Sequence, residues 1–374
     1  MKRIILVSII VGIICCKSVY ANEFESNTYI TLDDFDLKET QNVMQSEKYS
    51  IDIDELLQEI SNGNVMAAVN IIIDNVRDKL ENQFIDIKQV IITIIFTTVF
   101  AALIVNFSYS SSKNGVNEIA FYACYVLQIS TLMYIFQIAM EIGEKLVLFI
   151  LQLMGAIIPT YLLAVGITSQ ATALGFNSLI MTLIAVIEAV VLNIVFPMLK
   201  VYMAISMVNS ISKEDFLSGM ADLIKKAINF IYKFILGTVT GLNLIQSLIL
   251  PTTDLAKNNI AKKIISNVPI VGNGTDAVAQ IILSSVGIIK NSIGVLAIIL
   301  IVFVCIVPMV KMTAYSAVVQ ISGAVLQPIA DKRILNCIKQ TGEGIKLLNR
   351  GISVVGFLFI ITIAIICIST GNGG

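Results

Sequence analysis

One carboxylate lies deep within an apolar stretch of this 374-residue chain. Glu188 falls inside the apolar run 176–199, close to Asn193. A carboxylate at bilayer depth costs about 2.5–3.5 kcal/mol on insertion scales, so it marks a functional site by default. It could take up a proton, bind a cation or pair with a lysine such as Lys290. The structural alternative is a protonated glutamic acid that is hydrogen-bonded inside a helix bundle.

The composition limits what other chemistry the chain can perform. It contains no His, which excludes Ser-His-Asp catalysis, Cys-His catalysis and His-ligated metal sites. The glycines around Asn273 do not form a phosphate loop, because no Gly-Lys-Ser/Thr follows them. The net charge of −1 argues against binding to nucleic acid. We therefore expect no catalytic residues, no enzyme activity, no metal and no cofactor.

Hydrophobicity dominates the sequence, with 56% apolar residues, 14% charged residues and a mean hydropathy of +0.87. A soluble domain is about 45–50% apolar even when its glycines are counted. Seven apolar segments each have about the length that a helix needs to cross roughly 30 Å of hydrocarbon. They are 89–107, 119–140, 146–168, 176–199, 234–250, 293–310 and 351–369. Because backbone polar groups in lipid need internal partners, the sequence predicts an all-α polytopic membrane protein with about seven transmembrane helices.

Two segments between these spans are amphipathic. Segment 212–235 carries an apolar face and a polar face at helical spacing, which is typical of a helix lying at the membrane interface. Segment 311–350 joins an apolar stretch to Gln327-Pro328 and then to a charged run. Pro328 interrupts a simple span, so we predict a re-entrant or surface-lying element there.

The N-terminus has the layout of a secretory signal peptide. Lys2 and Arg3 precede the apolar run 4–14, and residues 19–21 offer small side chains at a cleavage site. The alternatives are an uncleaved anchor helix and lipid attachment at Cys15 or Cys16. In each case the chain from residue 22 onward begins outside the cytoplasm.

Charge and hydropathy divide the chain into three parts. Residues 1–21 are the signal peptide, and residues 22–88 form an exported segment with 5 basic and 15 acidic residues. We expect this segment to be partly disordered, with a flexible strand over 22–50 and an amphipathic helix after Asn64 that packs on the membrane part or continues into it. Residues 89–374 form the transmembrane domain.

The basic residues do not indicate one orientation. With residue 22 outside and seven crossings, the outer loops hold 12 Lys and Arg, whereas the inner loops hold 5. The positive-inside rule requires the reverse. Either an early segment is re-entrant, for which 146–168 is the candidate because it contains Pro159, or the signal does not set the topology.

Four short motifs lie at 264–276, 289–294, 308–311 and 326–333. In their order and spacing, rather than through any one of them, they resemble the stage III sporulation protein AE family of endospore-forming bacteria. The residues that we single out are Pro269, Gly272, Asp276, Asn291, Gly294, Pro308, Gln327 and Pro328.

The resemblance implies a multi-pass subunit of the channel between mother cell and forespore, located in the mother-cell membrane that surrounds the forespore. The implied partners are other stage III sporulation membrane proteins, including a secretion-type ATPase and ring-forming subunits, together with a forespore-membrane channel protein and the lipid bilayer. The implied role is forespore development after engulfment. The alternative is a permease-like secondary transporter that uses Glu188 in a coupling site.

Overall fold

The computed structural model describes residues 36–47, 49, 51–111, 114–168, 170–211, 216–265, 274–328 and 330–371. Within these ranges the regular secondary structure is helical, without strands. The helices are α1 (Lys38–Ser46), α2 (Ile53–Ser61), α3 (Val65–Ser111), α4 (Asn114–Thr168), α5 (Gln170–Val186), α6 (Phe196–Ile211), α7 (Ser218–Ile265), α8 (Gly274–Leu326) and α9 (Lys332–Gly371). A π-helix, Ile187–Val195, joins α5 to α6. The protein is an all-α polytopic membrane protein, as the sequence predicts.

Among the described residues, five continuous helical stretches are long and apolar enough to cross a membrane, and Lys88–Ile104 in α3 is a shorter apolar one. The predicted spans 119–140 and 146–168 are not separate, because both lie in α4, a helix of 55 residues. At 1.5 Å per residue α4 is about 82 Å long, more than twice the hydrocarbon thickness. The charges at 141–145 lower the hydropathy, but Glu and Lys are good helix formers and do not end a helix.

The two amphipathic segments are also parts of long helices. Segment 212–235 contributes the first turns of α7, and segment 311–350 contains the end of α8 and the start of α9. Segment 311–350 is thus continuous with α8 and α9 and forms no separate helix among the described residues. Pro328 lies in the turn just after α8, and the Asp331 carboxylate accepts a 2.8 Å hydrogen bond from the backbone N–H of Arg333 where α9 begins. A turn thus lies between the end of α8 and the start of α9, and the amphipathic stretches on both sides of it are helical.

Helix α9 lies at the centre of the bundle and contacts α4, α6, α7 and α8. It runs antiparallel to α8, since Lys290 bonds to Thr370 near one end of the pair and Ser316 bonds to Gly342 near the other. Helices α4 and α7 run parallel to α9, because residues later in each of them contact residues later in α9. Successive long helices therefore alternate in direction.

The short N-terminal helices pack on the long ones, α1 against α4 and α2 against α3 and α8. Tyr49 stacks on Phe149 of α4 at 5.6 Å and meets the Phe303 ring of α8 edge-on at 5.0 Å. Burial raises the pKa of Tyr49 to about 12. The prediction of a flexible strand over 22–50 was therefore wrong for residues 38–46, because a few buried side chains order this polar segment by tertiary contact.

The amphipathic helix predicted after Asn64 is the beginning of α3 and continues into the apolar stretch beyond it. The predicted boundary between residues 88 and 89 consequently falls inside one helix. Residues 1–21, the predicted signal peptide, lie outside the described residues.

Candidate functional site

Glu188 lies in the π-helix and its side chain is exposed on the outer surface of the bundle. The residues of the π-helix that face inward are Ile187, Val191 and Val195, which are buried. The alternative of a glutamic acid hydrogen-bonded inside the bundle was therefore wrong. The apolar run predicts membrane depth for the carboxylate, whereas the face that it occupies depends on helix packing.

The π-helix changes which residues share a face with Glu188. The backbone N–H of Phe196 donates to the carbonyl of Val191, five residues earlier, as in π-helical hydrogen bonding. This geometry brings residues five apart close together along one side. Asn193 follows Glu188 by five residues and is exposed too. Two polar side chains therefore line one outer face at the middle of an apolar helix.

Lys290 lies elsewhere and has another role. It is 3% exposed, and its Nζ donates a 2.8 Å hydrogen bond to the carbonyl oxygen of Thr370. That carbonyl belongs to the last turn of α9, where unpaired carbonyls favour a cationic donor. The structure therefore places Lys290 as a cap for α9 and does not bring it together with Glu188.

Of the eight residues that we singled out for the resemblance, Gly294 has the clearest structural role. A Cβ atom at this position would overlap the Sγ atom of Cys367 and come within 3.2 Å of the Tyr161 ring. The Tyr161 hydroxyl and Cys367 Sγ lie 3.1 Å apart in a hydrogen bond. Three helices, α4, α8 and α9, consequently meet closely at a residue without a side chain.

The other residues singled out for the resemblance are spread along α8 and its ends. Asn291 and Pro308 are half-buried in α8, and Gln327 and Pro328 are exposed in the turn before α9. Asp276 lies within α8. Pro269 and Gly272 lie outside the described residues. The structure thus gives these positions no common site.

A charged cluster that the sequence analysis did not single out joins α7, α8 and α9. The Glu343 carboxylate lies 3.3 Å from Lys225 Nζ of α7 and 3.3 Å from Lys346 Nζ of its own helix. Lys346 also donates to Gln320 Oε1 of α8 at 3.0 Å, and Gln320 donates in turn to Ser316. One carboxylate between two ammonium groups therefore links three helices.

The charged cluster belongs to a polar stripe along the first half of α9. Tyr202 of α6 donates to Gln340 Oε1 at 2.9 Å, and Asn336 donates to Ser210 of α6 at 3.1 Å. Arg350 donates to Asn229 of α7. The stripe consists of Asn336, Gln340, Glu343, Lys346 and Arg350. These residues are spaced by four, three, three and four positions, which is the pattern of one helix face, so the stripe could have been predicted from the sequence.

An open groove of about 500 Å³ separates α5 and the π-helix from α7. Most of its lining residues are aliphatic, and the polar ones include Thr182, Thr238 and Gln246. Glu188 is not among the lining residues. In the described part of the chain, no three His, Cys, Asp or Glu residues are grouped so that they could hold a metal ion.

Comparison with known proteins gives two matches. The family described as "Stage III sporulation protein AE" matches residues 51–370. A relative named "Stage III sporulation protein AE" from Bacillus subtilis (strain 168) is 21% identical over 283 residues, which cover 75% of this chain and 70% of the relative. No solved structure matches.

Proposed function

Since the chain belongs to the stage III sporulation protein AE family, we propose that it is a multi-pass membrane subunit of the channel that links mother cell and forespore. In this role it is needed for forespore development after engulfment, in the mother-cell membrane that surrounds the forespore. The observation that carries the proposal is the extent of the family match, which runs from α2 to the penultimate residue of α9.

The directions of the helices support an exported N-terminus. Because α4 is one helix, segments 200–233 and 311–350 lie at the same end of the bundle as the connection from α3 to α4. This end holds 12 Lys and Arg, five and six in those segments and one at Lys113, against nine at the other end, four in 251–292 and five in the N-terminal segment 22–88. The positive-inside rule then assigns the basic end to the cytoplasm.

Helices α1 and α2 pack on the opposite half of the bundle, as the contact between Asp36 and Thr160 near the far end of α4 indicates. They therefore belong to the outer side in this orientation. A secretory signal over residues 1–21 fits the same direction of export. Counting α4 as one span removes the conflict between the basic residues and an exported N-terminus, which supports the proposed orientation.

The proposed partners are a secretion-type ATPase, ring-forming subunits and a channel protein of the forespore membrane. We favour this assembly role over a permease-like carrier because Glu188 lies on the outer surface and away from the groove. A coupling carboxylate in a carrier faces the substrate site near the middle of the membrane. The role is structural rather than catalytic.

An in-frame deletion in the native host tests the proposal. Heat-resistant spores are counted, and the stage of arrest is scored by microscopy with a membrane dye. We expect normal vegetative growth, a block after engulfment and restoration by the intact gene at a second locus. Normal spore yield in a strain without a second copy of the gene would contradict the proposal.

A further inference from the structure

Glu188 and Asn193 form an exposed polar pair at the middle of an apolar helix. Neither side chain has a hydrogen-bond or ion-pair partner among the described residues. Hydrocarbon offers a carboxylate or an amide no hydrogen bond, so leaving both against lipid is unfavourable. Ionisable residues in transmembrane helices usually face a bundle interior, a cavity or a partner. The outer surface of the π-helix thus lacks the covering that these groups require.

Exposed residues of the neighbouring helix α4 extend the pair of Glu188 and Asn193 to a larger surface patch. Glu144 of α4 and Lys200 of α6 form a 2.9 Å salt bridge across the outer surface, so the exposed sides of these helices adjoin there. Gly155 lies eleven residues, or about three turns, beyond Glu144, so both residues lie on the same side of α4. The π-helix that carries Glu188 and Asn193 directly precedes α6 and contacts α4.

The patch combines polar and small residues. Gln152 and Gly155 of α4 are exposed, and nothing lies within 4 Å of a Cβ placed at Gly155. At 1.5 Å per residue, Gly155 and Glu188 are each roughly 16–18 Å along the helices from the salt bridge, and so at similar depth. We call Gln152, Gly155, Glu188 and Asn193 the outer polar patch. Small residues that allow close approach and polar residues that bond across helices are typical of helix interfaces in membranes.

The chemistry of the patch favours a different protein over a second copy. A two-fold axis along the membrane normal makes an isologous contact, which sets Glu188 of one copy opposite Glu188 of the other at the same depth. Two acids at close range disfavour each other's charged form. A helix that presents a lysine, arginine, amide or hydroxyl group instead complements the carboxylate.

We propose that the outer polar patch docks a transmembrane helix of another membrane protein, which presents a hydrogen-bond donor to Glu188. This inference rests on the proposed assembly role and specifies the surface that one partner occupies. It also gives the π-helix a function, because the π-helical register aligns Asn193 with the carboxylate. Such segments are frequent at functional sites.

Photocrosslinking in sporulating cells of the native host tests the docking. A photoreactive residue replaces Ala185, which is exposed one turn from Glu188. The matched control carries it at Leu244, which is 51% exposed on α7. Each is combined with Glu188→Gln, which keeps a hydrogen-bonding group, and with Glu188→Leu, which removes it. Immunoblots verify equal amounts of the full-length chain.

We expect an adduct at position 185 with a different membrane protein, identified by mass spectrometry, and none at position 244. Glu188→Leu should reduce the adduct by about three- to tenfold, the range of one hydrogen bond between membrane helices, whereas Glu188→Gln should retain more of it. An adduct with a second copy, adducts with lipid alone, equal adducts at both positions or indifference to Glu188→Leu would overturn the docking proposal.

The deletion strain separates this inference from the proposed function. If the adduct forms as expected but the deletion strain sporulates normally, the channel role fails and the docking surface stands. If the deletion blocks sporulation and no adduct depends on Glu188, the docking surface fails and the channel role stands.

Discussion

Gly294 of α8 faces Cys367 of α9 so closely that a Cβ atom would overlap the cysteine sulfur. The contact lies within the membrane-capable stretches of both helices, and the Tyr161 ring of α4 borders it. The central helix α9 can therefore pack against two long neighbours at one level only because this position lacks a side chain.

Gly294→Ala should lower the free energy of unfolding by about 1–3 kcal/mol, because the new methyl group forces three packed helices apart. The measurement is thermal or denaturant unfolding of the purified protein in detergent. Gly237→Ala is the matched control, since nothing lies within 4 Å of a Cβ at that exposed position of α7 and Ala favours the helix by up to about 1 kcal/mol. Equal losses in both variants would contradict the packing role of Gly294.

The charged cluster around Glu343 should behave as a coupled pair with Lys225. A double-mutant cycle of Lys225→Gln and Glu343→Gln should give a coupling free energy of about 0.5–1 kcal/mol, since both side chains are about one-third exposed. Unfolding in detergent at low salt and at 1 M salt measures it, and salt should reduce it. A coupling of zero at low salt would show that the 3.3 Å contact does not hold α7 to α9.

How far the sequence predicts this fold depends on what hydropathy can report. The apolar runs correctly indicated helices and a polytopic membrane protein. They could not show that α4 continues through Glu141 and Lys145, because hydropathy measures transfer to lipid whereas helix continuity depends on backbone propensity. The proposed orientation of the later helices depends on that one continuity.

The same limit applies to the candidate residues. The sequence predicts membrane depth for Glu188, but the face that it occupies depends on the packing of α4 and on the π-helix, which no residue pattern indicated. The polar residues of 311–350 favoured a surface-lying or re-entrant element, although their spacing also fits a half-buried stripe that contacts neighbouring helices. Tyr49 gave no local signal, since its partners Phe149 and Phe303 are distant in the chain.

The docking of α1 and α2 should weaken at high pH through Tyr49. Its pKa in the folded protein is raised to about 12 from an ordinary 10.0, mainly by burial. The neutral phenol therefore stabilises the docked state below pH 10.0, and that stabilisation is lost as the pH rises toward about 12. The anisotropy of a fluorophore attached at the exposed Gln58 should fall over this range.

Tyr49→Phe is the control, because it keeps the ring contacts and removes the ionisable group. Its anisotropy should stay constant over the same titration. If the two proteins show the same fall in anisotropy, another group or general alkaline unfolding controls the docking.

The proposed orientation predicts which single cysteines a membrane-impermeant thiol reagent reaches. In a variant without native cysteines, expressed in vegetative protoplasts, Gln58→Cys in α2 should react in intact cells. Gln327→Cys in the turn between α8 and α9 should react only after lysis. Both positions are exposed, so the reversed pattern would place the basic end outside and contradict the orientation.

The channel role is tested most directly by the size and content of the complex that contains the chain after engulfment. The tagged protein, whose own chain is 40.7 kDa, is extracted from membranes of sporulating cells in mild detergent. It is then analysed by native electrophoresis and mass spectrometry. We expect an assembly well above the monomer mass that contains a secretion-type ATPase and ring-forming membrane subunits. If sporulating cells without any sporulation mutation yield the chain only as a monomer or as a complex with itself, the proposed role as a channel subunit is contradicted.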